Sequence, residues 1–205
     1  TFTGDSTDTR TLKRGDLFVA LRGDRFDGHA FIEQAQAAGA AAAMVDSHRE
    51  RLAELPLLVV GNTRLALGTL AATWRQRFTA PLVAITGSSG KTTVKEMLAA
   101  ILRAAAGPAA HETVLATRGN LNNDIGTPLT LLGLRDTHRY AVIEMGMNHA
   151  GEIGYLTKIA CPEVALITNA GRAHIEYFGS EEATAKAKGE IFEGLGPEGG
   201  ASINF

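Results

Sequence analysis

Leu82-Val83-Ala84-Ile85-Thr86-Gly87-Ser88-Ser89-Gly90-Lys91-Thr92-Thr93 decides the reading of this chain. An apolar run of strand length, a glycine-rich turn and a Lys-Thr pair opening a helix form an arrangement that holds nucleotide phosphates. Successive backbone N–H groups converge on phosphate oxygens, and the helix N-terminus adds partial positive charge. Gly87 and Gly90 permit a tight turn and a close approach that a Cβ would obstruct. Lys91 is placed to reach the β- and γ-phosphates of ATP, and the Thr92 hydroxyl to ligate Mg²⁺. Ser88, Ser89 and Thr93 complete the expected cradle. One departure stands out: Ile85 occupies the position where the general G-x-x-x-x-G-K-[ST] pattern has its first glycine, so the loop reads T-G-x-x-G-K-T.

Outward from this loop, strands and helices alternate. The apolar pattern predicts strands over 82–86, 114–117, 140–145, 164–168 and 201–205, with helices over 92–105, 125–132, 151–159 and 181–195. Such alternation predicts a mainly parallel sheet with helices on both faces and ligands gathered at the C-terminal strand ends. Residues 1–79 read as a separate small α/β unit. Its strand spans 16–21, and a helix over 29–38 carries Ala30, Phe31, Ala35 and Ala38 at helical spacing and stops at Gly39. Buried strands are expected over 41–45 and 57–60, with a short charged helix over 49–55 between them. A longer helix over 63–78, capped by Asn62 or Thr63, ends before Ala80-Pro81. The fold class is α/β: a small N-terminal domain over 1–79, then a P-loop-containing, mainly parallel domain over 80–205.

Composition narrows the class. The 205 residues are 45% hydrophobic and 20% charged with a net charge of −2, ordinary for a globular protein. No long basic run points to nucleic acid, no apolar stretch approaches the ~20 residues of a membrane helix, and no secretory leader pattern opens the chain. The single cysteine, Cys161, cannot form an internal disulfide, which fits a reducing cytoplasm; as a small hydrophobe it is expected to be buried. The chain opens without Met and closes on a strand-like run, so both ends are expected to be cuts in a longer protein.

Chemistry gathers at the predicted strand ends. The apolar run 140–143 terminates in Glu144, a carboxylate suited to Mg²⁺, which prefers oxygen ligands. The next strand leads through Asn169 to His174, a second candidate. On the 181–195 helix, Lys186 and Lys188 lie ~200° apart. Ala187, Ile191 and Leu195 form an apolar stripe that Lys188 borders, so Lys188 can reach the site while Lys186 is the more solvated; the alternative for both is a solvated helix face. Gly119-Asn120-Leu121-Asn122-Asn123-Asp124 is rich in amides; Asp124 is a candidate helix cap, and the amides can present donors and acceptors to a polar ligand.

Taken together, these residues resemble the Mur ligase family, and within it the branch that adds D-alanyl-D-alanine. The resemblance runs through Thr7-Asp8-Thr9-Arg10, 15–21, Gly23, Phe26-Asp27-Gly28-His29, the 86–93 loop, 119–126, Glu144 through His149, and 185–192. It implies an ATP-dependent ligase joining D-alanyl-D-alanine to a UDP-N-acetylmuramoyl tripeptide in peptidoglycan precursor synthesis. The substrate carboxylate attacks the γ-phosphorus, giving an acyl phosphate and ADP; the dipeptide amine then displaces phosphate. Carried over by motif, Lys91 stabilises the transferring phosphate and Thr92, Glu144 and His174 serve Mg²⁺. Lys188 matches a lysine that is carbamylated in several relatives, and carbamylation needs a neutral amine with a lowered pKa. Thr7, Thr9, Arg10, Asp24, Arg25, Phe26, Asp27 and His29 match the UDP-sugar end; Asn122, Asn123, Asn148 and His149 would face the muramoyl-peptide. The family's third, C-terminal domain has no counterpart here, so the chain is expected to be an inactive piece of a monomeric ligase. The alternatives are a folylpolyglutamate-type or other muramyl ligase, or a P-loop module that does not ligate.

Overall fold

Short apolar runs become parallel strands in both halves of the chain. A computed structural model describes residues 2–23, 26–46, 54–107, 112–171 and 180–204. The backbone divides into two units, Thr1–Leu70 and Ala71–Phe205.

In the first unit, β1 (Asp5–Ser6) and β2 (Leu17–Val19) precede a small antiparallel hairpin, β3 (Arg22–Gly23) and β4 (Phe26–Asp27). A 3-10 turn (Gly28–Phe31), α1 (Ile32–Ala37), β5 (Ala42–Val45) and β6 (Leu57–Val59) follow, leading into α2 (Thr63–Arg75). The sheet runs β1-β2-β5-β6, all parallel, and Phe18, Ile32, Ala35, Ala43 and Val45 form its core. The expected helix over 29–38 begins instead as the 3-10 turn, with Asp27 accepting the His29 N–H. That tighter turn rotates the buried face onto Ile32 and Ala35 and leaves Ala30, Phe31 and Ala38 outward. Likewise Leu57, Leu58 and Val59 are 37%, 48% and 37% exposed rather than buried, because β6 is the edge of its sheet. Asn62 caps α2, its Oδ1 accepting from the Arg64 and Leu65 N–H groups. The expected charged helix over 49–55 lies mostly outside the described residues.

The division between units falls within α2, upstream of the expected boundary at Ala80-Pro81. The last turn of α2 belongs to the second unit. Trp74 Nε1 donates to the Leu134 carbonyl at 3.1 Å, and the buried Arg75 guanidinium donates to Ala160 O and to Glu163.

The second unit runs β7 (Leu82–Thr86), α3 (Lys91–Ala106), β8 (Val114–Ala116), α4 (Gly126–Leu132), β9 (Tyr140–Glu144), α5 (Glu152–Ala160), β10 (Val164–Ile167), α6 (Glu181–Gly189) and β11 (Gly200–Ile203). Its strands pair in parallel in the order β11-β10-β7-β9-β8. The chain leaves the central β7 for the edge at β8, returns to β9, then crosses β7 to reach β10. The loops after β9 and β10 therefore flank the loop after β7, the crevice where open α/β sheets bind ligands. Ile85, Ala99, Val114 and Val142 form the core under α3, with Val94, Leu98 and Leu102 packed against it.

Three local expectations change here. From Glu190 the helix tightens into a 3-10 turn (Glu190–Gly194), so Ala187 and Ile191 are buried while Leu195 is only partly so. Where Asp124 was the expected cap, Asn123 Oδ1 accepts from the Ile125 and Gly126 N–H groups ahead of α4. Cys161 is exposed, because it caps the C-terminus of α5 in the left-handed region (φ 45°) and this turns its side chain away from the packed face. β11 is the other sheet edge, and all four of its residues are exposed. Among the described residues, no helix is long and apolar enough to cross a membrane.

Candidate functional site

β7 delivers the glycine-rich loop to the crevice. A Cβ at Gly87 would lie 1.8 Å from Thr168 Oγ1, and Gly90 holds φ +76°, so both positions require glycine. The loop is fastened to the neighbouring strand's end: Ser88 N donates to Asn169 O at 3.0 Å and Ser89 N to Asn169 Oδ1 at 3.0 Å. These N–H groups are thus held by protein oxygens rather than left converging on an open cradle. Thr168 Oγ1 donates to Ser89 O at 2.7 Å. The N–H groups of Lys91, Thr92 and Thr93 open α3 and have no intrahelical acceptor. Lys91 Nζ rests on the Gly87 carbonyl at 2.7 Å.

The β7–β9 register sets Ile85 beside Glu144 and brings the loop's threonine to the carboxylate. Thr92 Oγ1 donates to Glu144 Oε2 at 2.9 Å. Asn122 Nδ2 donates to Glu144 Oε1 at 2.8 Å, and the Glu144 backbone N–H donates to Thr117 Oγ1 at 2.9 Å. Glu144 is 2% exposed, so each carboxylate oxygen has a defined donor rather than bulk water. Beneath it, the fully buried Lys95 ammonium donates to the Thr117 carbonyl at 2.7 Å.

A cavity of about 270 Å³ opens beside this cluster, lined by Gly87, Lys91, Asn120, Asn122, Asn123, Gly146, Met147, Asn148, Glu152 and Lys188. Lys188 reaches it from α6 and is 1% exposed; Lys186 on the same helix is exposed. Burial first, and the Lys91 ammonium second, pull the Lys188 amine down to about 8 from its ordinary 10.5. Two lysines share one cavity, and both cannot be charged there without cost.

The hard oxygen donors present, the Thr92 hydroxyl and the Glu144 carboxylate, fit Mg²⁺, which takes few ligands from protein. No group of three His, Cys, Asp or Glu side chains able to hold a metal occurs among the described residues. Asn148 lines the cavity, with its backbone N–H donating to Glu152 Oε2 at 2.7 Å. His149 does not line it; its imidazole is exposed and pairs with Glu152 Oε1 at 3.0 Å. His174 lies outside the described residues.

A second cavity, of about 540 Å³, belongs to the first unit and is lined by Thr7, Asp8, Thr9, Arg10, Phe18, Phe26, Gly28, Phe31 and Gln34. Thr7, Thr9, Arg10 and Phe26 therefore come together as anticipated. Asp8 holds Arg10 by a bidentate ion pair that keeps the Asp8 carboxyl well below the usual carboxylate range. Asp27 and His29 do not line this cavity. His29 is buried, its Nδ1 2.6 Å from Asp27 Oδ1 and its Nε2 accepting from the Asp46 N–H at 3.1 Å. Asp24 and Arg25 lie outside the described residues. Sequence reasoning placed Asn120 in the amide-rich run but missed Thr117, Glu152 and Asn169 as neighbours of the site. Asn169 carried a signal, since it directly follows a strand expected to end in the same crevice.

Two family models match the chain: Mur ligase middle domain over residues 85–205, and Mur ligase family, catalytic domain, over residues 1–75. The UDP-N-acetylmuramoyl-tripeptide–D-alanyl-D-alanine ligase of Escherichia coli is 54% identical over 198 residues, 97% of this chain and 42% of that protein. The crystal structure of MurF from Acinetobacter baumannii superposes with a TM-score of 0.88 at 48% identity, covering 97% of this chain and 42% of that one. MurF ligase from Thermotoga maritima in complex with ADP superposes with a TM-score of 0.87 at 34% identity, covering 98% and 45%. The chain thus spans less than half the length of these relatives.

Proposed function

We propose, from the premise that this chain belongs to the Mur ligase family, that it carries the nucleotide-holding and acyl-activating part of an ATP-dependent, ADP-forming amide-bond ligase. The reading extends to a substrate pair, a UDP-N-acetylmuramoyl tripeptide and D-alanyl-D-alanine, and to peptidoglycan precursor synthesis in the cytoplasm. The observation that carries it is the Thr92 Oγ1–Glu144 Oε2 contact of 2.9 Å at a phosphate loop whose Lys91 shares a cavity with Lys188.

In this reading Lys91 leaves the Gly87 carbonyl to stabilise charge on the β- and γ-phosphates, and the N–H groups opening α3 donate to further phosphate oxygens. Thr92 and Glu144 would hold Mg²⁺, with Lys188 in its carbamylated form and, by motif, His174 as further ligands. The ion, when bound, neutralises phosphate charge. Asn122 keeps Glu144 oriented. Asn120, Asn123 and Asn148 offer amides to the muramoyl-peptide, whose terminal carboxylate attacks the γ-phosphorus to give an acyl phosphate, with ADP as the leaving group. The dipeptide amine then attacks the acyl carbon and phosphate departs. Such a path needs positioning and charge neutralisation more than covalent catalysis. Residues 1–79 act as the UDP-sugar module through Thr7, Thr9, Arg10 and Phe26, while Asp27 and His29 brace the turn beside them. Residues 80–205 act as the ATP module.

Calorimetric titration tests this reading with the chain itself. Mg-ATP is expected to bind the native chain and not K91A, and the muramoyl tripeptide is expected to bind where UDP-N-acetylglucosamine does so more weakly. A folded chain that binds Mg-ATP but neither UDP-sugar would leave a P-loop module without ligase character.

A further inference from the structure

The 3-10 turn that follows Lys188 carries a carboxylate seated on another helix. Glu190 Oε1 accepts from the Gly151 N–H at 2.8 Å, and Glu190 Oε2 accepts from the Gly154 N–H at 3.0 Å. These donors belong to the first turn of α5, where N–H groups have no intrahelical acceptor and the helix end is partially positive. A side chain from a different helix, distant in sequence, therefore does what an N-cap residue usually does locally.

The consequence reaches the cavity. α6 holds Lys188 1% exposed beside a second ammonium, Lys91. Two like charges in one cavity favour a swing of α6 toward solvent, where Lys188 would be hydrated. Something must oppose that swing, and Glu190 lies two residues beyond Lys188, at the junction of α6 with the 3-10 turn. Farther along the turn, Thr157 Oγ1 donates to Ile191 O at 2.8 Å and Lys158 pairs with Glu193 at 2.9 Å, but both lie on the far side of Glu190 from Lys188.

We infer that Glu190 is a positioning residue for Lys188: its carboxylate, docked on the N-terminus of α5, holds α6 so that the Lys188 amine stays in the cavity with Lys91. The inference rests on the reading of that cavity as the site. It also links Lys188 to the 146–151 loop bearing Asn148, since the same α5 N-terminus ends that loop.

Competitive acetylation of the native full chain, read by mass spectrometry at fixed pH with no nucleotide present, tests this. Exposed Lys186 on the same helix is the internal standard, and fully buried Lys95 reports global opening. In the native chain Lys188 is expected to react at least about tenfold more slowly than Lys186, given its burial. In E190A the Lys188-to-Lys186 ratio should rise several-fold while Lys95 stays protected. E190Q, which keeps an acceptor oxygen, should recover part of the protection, and E193Q none of the change. An unchanged ratio in E190A overturns the inference. Should E190A expose Lys95 as well, E190Q becomes deciding: a raised ratio with Lys95 protected supports the inference, and an unchanged one overturns it. Because no nucleotide enters the measurement, a failure of ATP binding would refute the functional reading and leave this result standing.

Discussion

Removing the Lys188 charge should stabilise the second unit at neutral pH, and the gain should disappear in alkali. The amine is buried against Lys91 and titrates at about 8 rather than 10.5. Below pH 8 both folded and unfolded chains hold the proton, and the cost of burying it is present in full. Between pH 8 and 10.5 the unfolded chain keeps a proton that the folded one has released, so stability rises with pH by about 1.36 kcal/mol per unit. Across the window that is about 3.4 kcal/mol. The amine faces a cavity of about 270 Å³, room for several waters, and solvent screening reduces the effect to about 1–2 kcal/mol. Lys188→Met keeps the aliphatic stem and deletes the charge. It is expected to raise the melting temperature at pH 7 by about 2–8 °C, with most of that advantage lost at pH 10. Thermal unfolding followed by circular dichroism at both pH values, native chain beside variant, measures the difference while other titrations cancel. A variant less stable at pH 7, or an advantage identical at both pH values, would refute the reasoning.

Two further outcomes follow from the same contacts. Arg75→Ala removes a guanidinium whose side chain is 5% exposed and which donates to Phe78 O, Ala160 O and Glu163. Leaving those acceptors unpaired should cost about 3 kcal/mol in urea unfolding, with Arg75→Lys recovering only part because an ammonium cannot fork; a loss under about 0.5 kcal/mol would mean water replaces it freely. Glu144→Ala should leave ATP binding detectable but cut its dependence on Mg²⁺ by at least about tenfold; unchanged dependence in calorimetry with and without chelator would remove Glu144 from the metal site.

Much of this architecture was legible locally. A continuous apolar strand, a glycine turn and a Lys-Thr helix start lie within a dozen residues, so 82–93 announces both a parallel sheet and a phosphate site before any contact is known. The placement of Lys188 beside a buried stripe and Lys186 outside it follows from the helical period alone. Local pattern misjudged 3-10 geometry at Gly28 and Glu190, where one tightened turn re-aims every following side chain. It also misjudged Leu57–Val59, because an apolar strand reads the same at a sheet's centre and its edge.

The chain's own order of residues determined which groups exist and which strand ends carry them: Lys91 and Thr92 after β7, Glu144 closing β9, Lys188 on α6. Tertiary structure alone decided what each one touches. The β7–β9 register set Thr92 against Glu144, β10 lent Asn169 to the phosphate loop, and α5 offered its N-terminus to Glu190. Periodicity is a property of neighbouring residues, whereas these contacts join segments 36 to 80 residues apart. Pairing, register and burial of the whole unit choose such partners together.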